Sequence, residues 1–132
     1  IQAPVQQKAI TSPQHAYEHV KHFFVRQDQE QFIAVFLNTK KVPIHTHLIG
    51  IGTLDHITLH PRDILAKALA CKASSLLLAH NHPSGDCEPS EEDITFTHQF
   101  VKLATFMGFE VCDHIIVGQH TFCSFMDKGL LE

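Results

Sequence analysis

His80-Asn81-His82-Pro83-Ser84-Gly85, followed by Ser90 and Asp93, is the part of this 132-residue chain best equipped for chemistry. Two histidines at i and i+2 can present both rings to one point when the backbone is extended. An Asp eleven residues after the second His adds an oxygen donor of the kind zinc accepts. Ligands of N, N and O type leave the fourth tetrahedral position free for water. That separates a catalytic zinc site from a structural one, which four protein ligands usually close. The pattern points to metal-assisted hydrolysis.

These residues need a strand end and a helix start to hold them. Ser75 to Ala79 reads as a short buried strand whose end delivers His80. The loop from Asn81 to Pro89 carries two Pro and one Gly. Ser90 then opens a helix to about Met107, with Phe96, Phe100, Leu103 and Met107 along one face. Ser90-x-x-Asp93 also resembles a capping box, and the helix dipole favours Asp at an N-terminus. Spacing alone therefore leaves Asp93 open between ligand and cap, with both roles compatible.

The remaining elements follow from period and punctuation. Ser12-Pro13 reads as N-cap and first turn of a helix to about Phe24, with Tyr17, Val20, Phe23 and Phe24 near helical spacing. Gln27-Asp28-Gln29 is a polar break, and Phe32 to Leu37 is a buried strand. Asn38-Thr39-Lys40-Lys41 is a turn, and Val42 to Gly50 returns as a hairpin partner. Gly50 and Gly52 around Ile51 suggest a bend or bulge, and a third strand is an option before Pro61 starts a helix to about Cys71. Val111 to Val117 is a strand, and Thr121 to Phe125 its hairpin partner. Helices interleaved with strands predict an α/β fold with a mixed sheet covered by helices, its ligand site at strand ends. Residues 1–11 lack a clear period and read as a linker or frayed end, so one domain is expected over residues 12–132.

Composition bounds the function. A 44% apolar content suits one globular core, and no 18-residue apolar run marks a membrane span. No basic segment precedes an apolar run, so no signal peptide is expected. The first residue is Ile, which reads as a fragment or processed chain. Net charge is −4, with ten Lys+Arg against fourteen Asp+Glu and Lys40-Lys41 as the only adjacent basic pair. Phosphate-backbone binding needs clustered positive charge, so a nucleic-acid footprint is not expected for this domain alone. Cys71, Cys87, Cys112 and Cys123 form no C-x-x-C, and reduced thiols in a cytoplasmic protein are the expected state.

His80-x-His82-Pro83, six residues, Ser90, two residues, Asp93 resembles the JAMM (MPN+) metalloprotease motif. Within that superfamily the chain resembles the RadC family. The similar segments are Gly52-Thr53-Leu54, His60-Pro61-Arg62-Asp63, Leu78-Ala79-His80-Asn81-His82-Pro83-Ser84-Gly85-Asp86, Pro89-Ser90 and Asp113-His114-Ile115-Ile116-Val117-Gly118. They span most of the chain, from about Ser12 to Leu131. The resemblance implies a deaminase-like three-layer α/β/α sandwich with a mixed sheet. It implies zinc held by His80, His82 and Asp93, with Ser90 hydrogen-bonding the metal-bound water or the oxyanion. It also implies a Glu from outside the motif as general base, and hydrolysis of a peptide or isopeptide bond in a protein or peptide substrate. RadC-like proteins often carry an N-terminal helix-hairpin-helix-type region, which is not found here, and the family's traditional label is DNA repair.

Glu30, just before the Phe32–Leu37 strand, stands where RadC-like chains tend to have an acidic residue. A zinc-water site wants a carboxylate within hydrogen-bond reach of that water. The bland reading is an exposed residue of a polar turn, and Glu18 on the first helix is the next candidate. His45-Thr46-His47 is a second H-x-H, but no carboxylate or Cys follows at ligand spacing, so a solvent-facing strand is expected. His56, His60, His98, His114 and His120 read as packing or surface residues, with a structural hydrogen-bonding role open to His60 and His114. Cys87 lies between His82 and Ser90 and could approach the metal, although three ligands suffice. A nucleobase deaminase would need H-x-E with P-C-x-x-C, and neither is present. The remaining alternative is a non-catalytic metal-containing module of a DNA-repair or nucleic-acid-processing protein. The oligomeric state stays open, a homodimer among the options.

Overall fold

The apolar run ahead of His80 becomes the centre of the molecule. In the computed structural model, which describes residues 8–25, 28–52 and 59–131, all seven residues of strand β3 (Ser75–Asn81) are buried. Strand β1 (Gln31–Leu37) flanks it antiparallel and strand β4 (Glu110–Val117) flanks it parallel. The sheet is completed by strand β2 (Pro43–Ile51) beside β1 and strand β5 (Phe122–Ser124) beside β4, in the order β2-β1-β3-β4-β5. A strand with neighbours on both sides and layers on both faces buries side chains on both faces, which is why alternation is absent from the apolar runs Phe32–Leu37 and Leu76–Ala79.

Among the described residues, three α-helices cover the two faces. Helix α1 (Pro13–Val20) starts at Ser12, whose side chain accepts from the N–H of His15, and it runs on into a 3₁₀ turn over Lys21–Phe23. It packs Ala16 and Val20 against Ile33, Val35, Leu77, Ala79 and Ile115. Ile10, ahead of it, is buried in the same layer. Helices α2 (Pro61–Ala70) and α3 (Glu91–Phe106) lie on the other face, where Ile64, Leu65, Phe100 and Ala104 meet Phe32, Phe36, Leu76 and Leu78. The expected α/β sandwich with a mixed sheet is the fold observed. Each fully buried large aliphatic or aromatic side chain contributes about 1.5–3 kcal/mol through burial.

Three expectations need correction. Helix α3 buries Asp93, Thr97, Phe100 and Ala104, while Leu103 and Met107 are 48% and 45% exposed. The inward stripe begins with two polar residues because the site lies beneath the first two turns, and this shifts the stripe off the apolar pattern. Phe23 is 42% exposed, because the backbone tightens to 3₁₀ geometry before reaching it. Cys87 and Cys123 are joined as a disulfide with Cα atoms 5.6 Å apart, not held as separate thiols. The turn after His82 brings Cys87 over β5, and Cys71 and Cys112 remain free. The bulge expected near Gly50 is present: Phe32 pairs with Gly50 and Ile33 with Leu48, leaving Ile49 as the extra residue. Residues 1–7 of the expected linker, Gln27, Thr53-Leu54, His56 and the optional third strand over 53–58 lie outside the described residues.

Candidate metal centre

Side-chain alternation on β3 divides the work at its end. Leu76, Leu78 and His80 face α2 and α3, and Leu77 and Ala79 face α1. His80 therefore enters the layer beneath α3, fully buried, with its ring stacked on Phe32 at 5.1 Å between centroids. The chain then leaves the strand. His82 donates its backbone N–H to the Val117 carbonyl (2.9 Å), and Gln119 donates to the Gly85 carbonyl (3.0 Å), so the turn docks on the end of β4. That docking requires glycine at 118, where a Cβ would stand 2.5 Å from the Gly85 oxygen.

Ser90 ends the loop and caps α3. Its hydroxyl accepts from the Asp93 N–H (3.0 Å), and its own N–H donates to Asp93 Oδ2 (2.9 Å), a reciprocal capping box. The cap does not compete with the site. Asp93 is 2% exposed, with Oδ1 3.3 Å from His80 Nε2 and Oδ2 3.2 Å from His82 Nε2. One carboxylate thus closes the first turn of α3 and faces both histidines, so the ligand and cap readings of the spacing are geometrically compatible.

Glu30 arrives from the other side. It immediately precedes β1, its side chain is 12% exposed, and Oε1 lies 3.6 Å from His80 Nε2. Asn81 fixes that approach. Its Oδ1 accepts from the Gln31 N–H (2.7 Å) and its Nδ2 donates to the Gln29 carbonyl (3.0 Å), bracketing Glu30. Glu30, His80, His82 and Asp93 each offer one donor atom, all within 4.8 Å of one another, a group able to hold a metal ion. Glu18 is elsewhere, exposed on α1 and paired with Lys21 at 3.0 Å.

Burial and hydrogen bonding set the protonation of the cluster in opposite directions. Burial pushes the His80 ring toward its neutral form against the pull of Asp93. Burial opposes charge on His82 too, but hydrogen bonds to Asp93 and to the Asp86 carbonyl outweigh it, and its pKa is raised. Asp93 is pushed up by burial and pulled down further by its neighbours, His82 and the Ser90 N–H among them, so it stays well below the usual carboxylate range. His82 Nδ1 lies 2.9 Å from the Asp86 carbonyl, which can only accept, so Nδ1 carries a proton and Nε2 is the nitrogen turned toward His80 and Asp93.

Among the other sequence candidates, His45 and His47 lie on β2, and Cys87 is committed to Cys123. His98 bonds the Leu130 carbonyl at 3.0 Å, and His60 caps α2 without a side-chain bond. His114 is fully buried against His80, Nε2 to Nδ1 at 2.7 Å, which gives it the structural hydrogen bond left open for it. Asn81 and Thr97 carry no ligand-type signal and are missed by spacing. Their only trace is position, Asn81 between the two histidines and Thr97 one turn beyond Asp93.

Comparison with known proteins places this chain in a family. A RadC-like JAB domain family model matches residues 10–130. A UPF0758 protein of Halalkalibacterium halodurans is 41% identical over 118 residues, covering 86% of this chain and 51% of the relative. UPF0758 proteins of Bacillus cereus and Bacillus anthracis are each 40% identical over 121 residues, covering 92% of this chain and 54% of theirs. The chain spans about half the length of the curated relatives it matches.

Proposed function

The chain belongs to the RadC-like JAB domain family, and on that premise we propose that it is a zinc-dependent hydrolase cleaving a peptide or isopeptide amide bond. The observation that carries the reading is the convergence of two imidazole nitrogens and two carboxylates at the end of β3. The donor set fits zinc, which takes His nitrogen and carboxylate oxygen and keeps an open position in catalytic sites. His80, His82 and Asp93 would hold the ion. Zinc, when bound, supplies a Lewis acid and lowers the pKa of water toward about 7.

The chain's own groups do the rest. Glu30 takes the proton from the attacking water and returns it to the leaving amine. Asn81 holds the backbone on either side of Glu30, so the carboxylate faces the cluster and not solvent. Ser90 spends an oxygen lone pair on the helix cap, and its hydroxyl hydrogen is left to donate to the oxyanion developing on the scissile carbonyl. A cavity of about 110 Å³ beside His82, between Phe24, Pro83, Val117 and Gln119, offers room for a small substrate group. The partner is a peptide or protein; net charge of −4 without a basic cluster favours weak duplex-DNA binding, which a gel-shift titration at physiological salt checks. No helix among the described residues is long and apolar enough to cross a membrane.

The test is a screen of the zinc-loaded chain against a peptide library and an isopeptide-linked probe, read by mass spectrometry. Cleavage that a chelator abolishes and Glu30→Gln removes is expected. Full zinc occupancy with no cleavage of any amide would contradict the enzyme and favour a non-catalytic metal module of a DNA-repair protein.

A further inference from the structure

A chain of three buried hydrogen bonds runs from the cluster back to the helix that supplies Asp93. His80 Nδ1 lies 2.7 Å from His114 Nε2, and His114 Nδ1 lies 2.7 Å from Thr97 Oγ1. Thr97 Oγ1 lies 2.7 Å from the Asp93 backbone carbonyl. All three side chains are fully buried, so each contact has to be a made bond.

The protons can be counted from the far end. The Asp93 carbonyl only accepts, so the single hydroxyl hydrogen of Thr97 is spent on it. Thr97 Oγ1 must then accept from His114 Nδ1, which makes that nitrogen the protonated one. Neutral His114 is left with a lone pair on Nε2, and the contact with His80 is a bond only if His80 Nδ1 donates. His80 Nε2, the atom facing Glu30, His82 and Asp93, is thereby left without a proton. Packing supports the arrangement, since the His114 ring stacks on Phe125 at 4.5 Å and meets Phe32 edge-on at 5.4 Å.

We propose that His114 and Thr97 are positioning residues that lock His80 in the tautomer whose Nε2 can bind a metal ion. The inference rests on reading the cluster as a metal centre, but the tautomer is a property of the metal-free chain. Outer groups of this kind typically change metal affinity by about 10–100-fold. Thr97→Val is nearly isosteric, and the bond it removes to a proposed ligand is only to the Asp93 backbone carbonyl, not to the carboxylate. It removes the acceptor for His114 Nδ1, so His114 can turn its proton to Nε2 and force one onto His80 Nε2.

The test has two readouts. Long-range ¹H–¹⁵N spectra of metal-free, histidine-labelled chain should show His80 and His114 both protonated at Nδ1; a proton on His80 Nε2 would overturn the proposal. Zinc affinity by chelator competition should fall about 10–100-fold in Thr97→Val and recover in Thr97→Ser. Unchanged affinity in folded Thr97→Val would also overturn it. Should Thr97→Val fail to fold, the wild-type spectra still decide. Failure of wild-type chain to bind zinc would count against the metal centre, with the tautomer read independently from the same spectra.

Discussion

Two H-x-H segments of identical spacing lie in this molecule, and only one joins a cluster. His45 and His47 share a face of β2, their rings 6.4 Å apart and His45 stacked at 6.0 Å on Phe36. They sit in the middle of an edge strand, and among the described residues no carboxylate or thiol completes a metal-holding group with them. Burial and the charge of Lys67 both lower the His47 pKa. His80 and His82 lie where a central strand ends, where α3 begins and where β1 is about to start. The convergence of those three ends supplies Asp93 and Glu30. Spacing aims two rings; topology decides whether carboxylates come to meet them.

The sharpest way to break the contrast is to remove each pair. His80→Ala or His82→Ala should abolish stoichiometric zinc by elemental analysis, and the His45→Ala/His47→Ala double variant should keep it. Next in size is Glu30→Gln, which should retain zinc and the fold while hydrolysis drops by roughly 10²–10⁴-fold, the usual contribution of a positioned proton carrier. Asp93→Asn should instead weaken zinc retention during dialysis, because it changes a proposed ligand. Asn81→Ala should leave zinc in place yet lower the rate by up to about 10²-fold, since small misplacements of a reacting group carry costs of that order. A rate equal to wild type would show that Glu30 needs no such tether.

The smallest expected effect is one of pH. His82 has a raised pKa in the folded metal-free chain, so its contribution to stability is full below its unfolded pKa and is lost as pH rises through the folded value. Metal binding must displace the same proton, so zinc affinity should rise over that interval. Parallel thermal melts and chelator titrations across pH would show opposite slopes; parallel slopes would contradict the assignment.

What the sequence revealed depended on range. The strand ending at His80 and the helix opening at Ser90 were legible because both are local patterns, an apolar run and a cap. Glu30 was reachable only through family resemblance, because nothing in Asp28-Gln29-Glu30-Gln31 marks which acid meets His80 fifty residues on. Asn81 and Thr97 bond partners from other elements, and single-chain spacing carries no trace of those pairings; for His114 a structural hydrogen bond was open, but not that its partner is His80. The Cys87–Cys123 pairing spans 36 residues and was hidden for the same reason. The inward face of α3 was misread because Asp93 and Thr97 occupy positions that an apolar pattern assigns to solvent.

The central claim is that a single metal ion belongs at the end of β3. Diffraction from zinc-loaded crystals at the zinc absorption edge tests it most directly. One anomalous peak between His80 Nε2, His82 Nε2 and the Asp93 carboxylate, with the Glu30 carboxylate beside it, is the predicted result. A peak at His45 and His47, or none at the β3 end under full loading, would contradict the account.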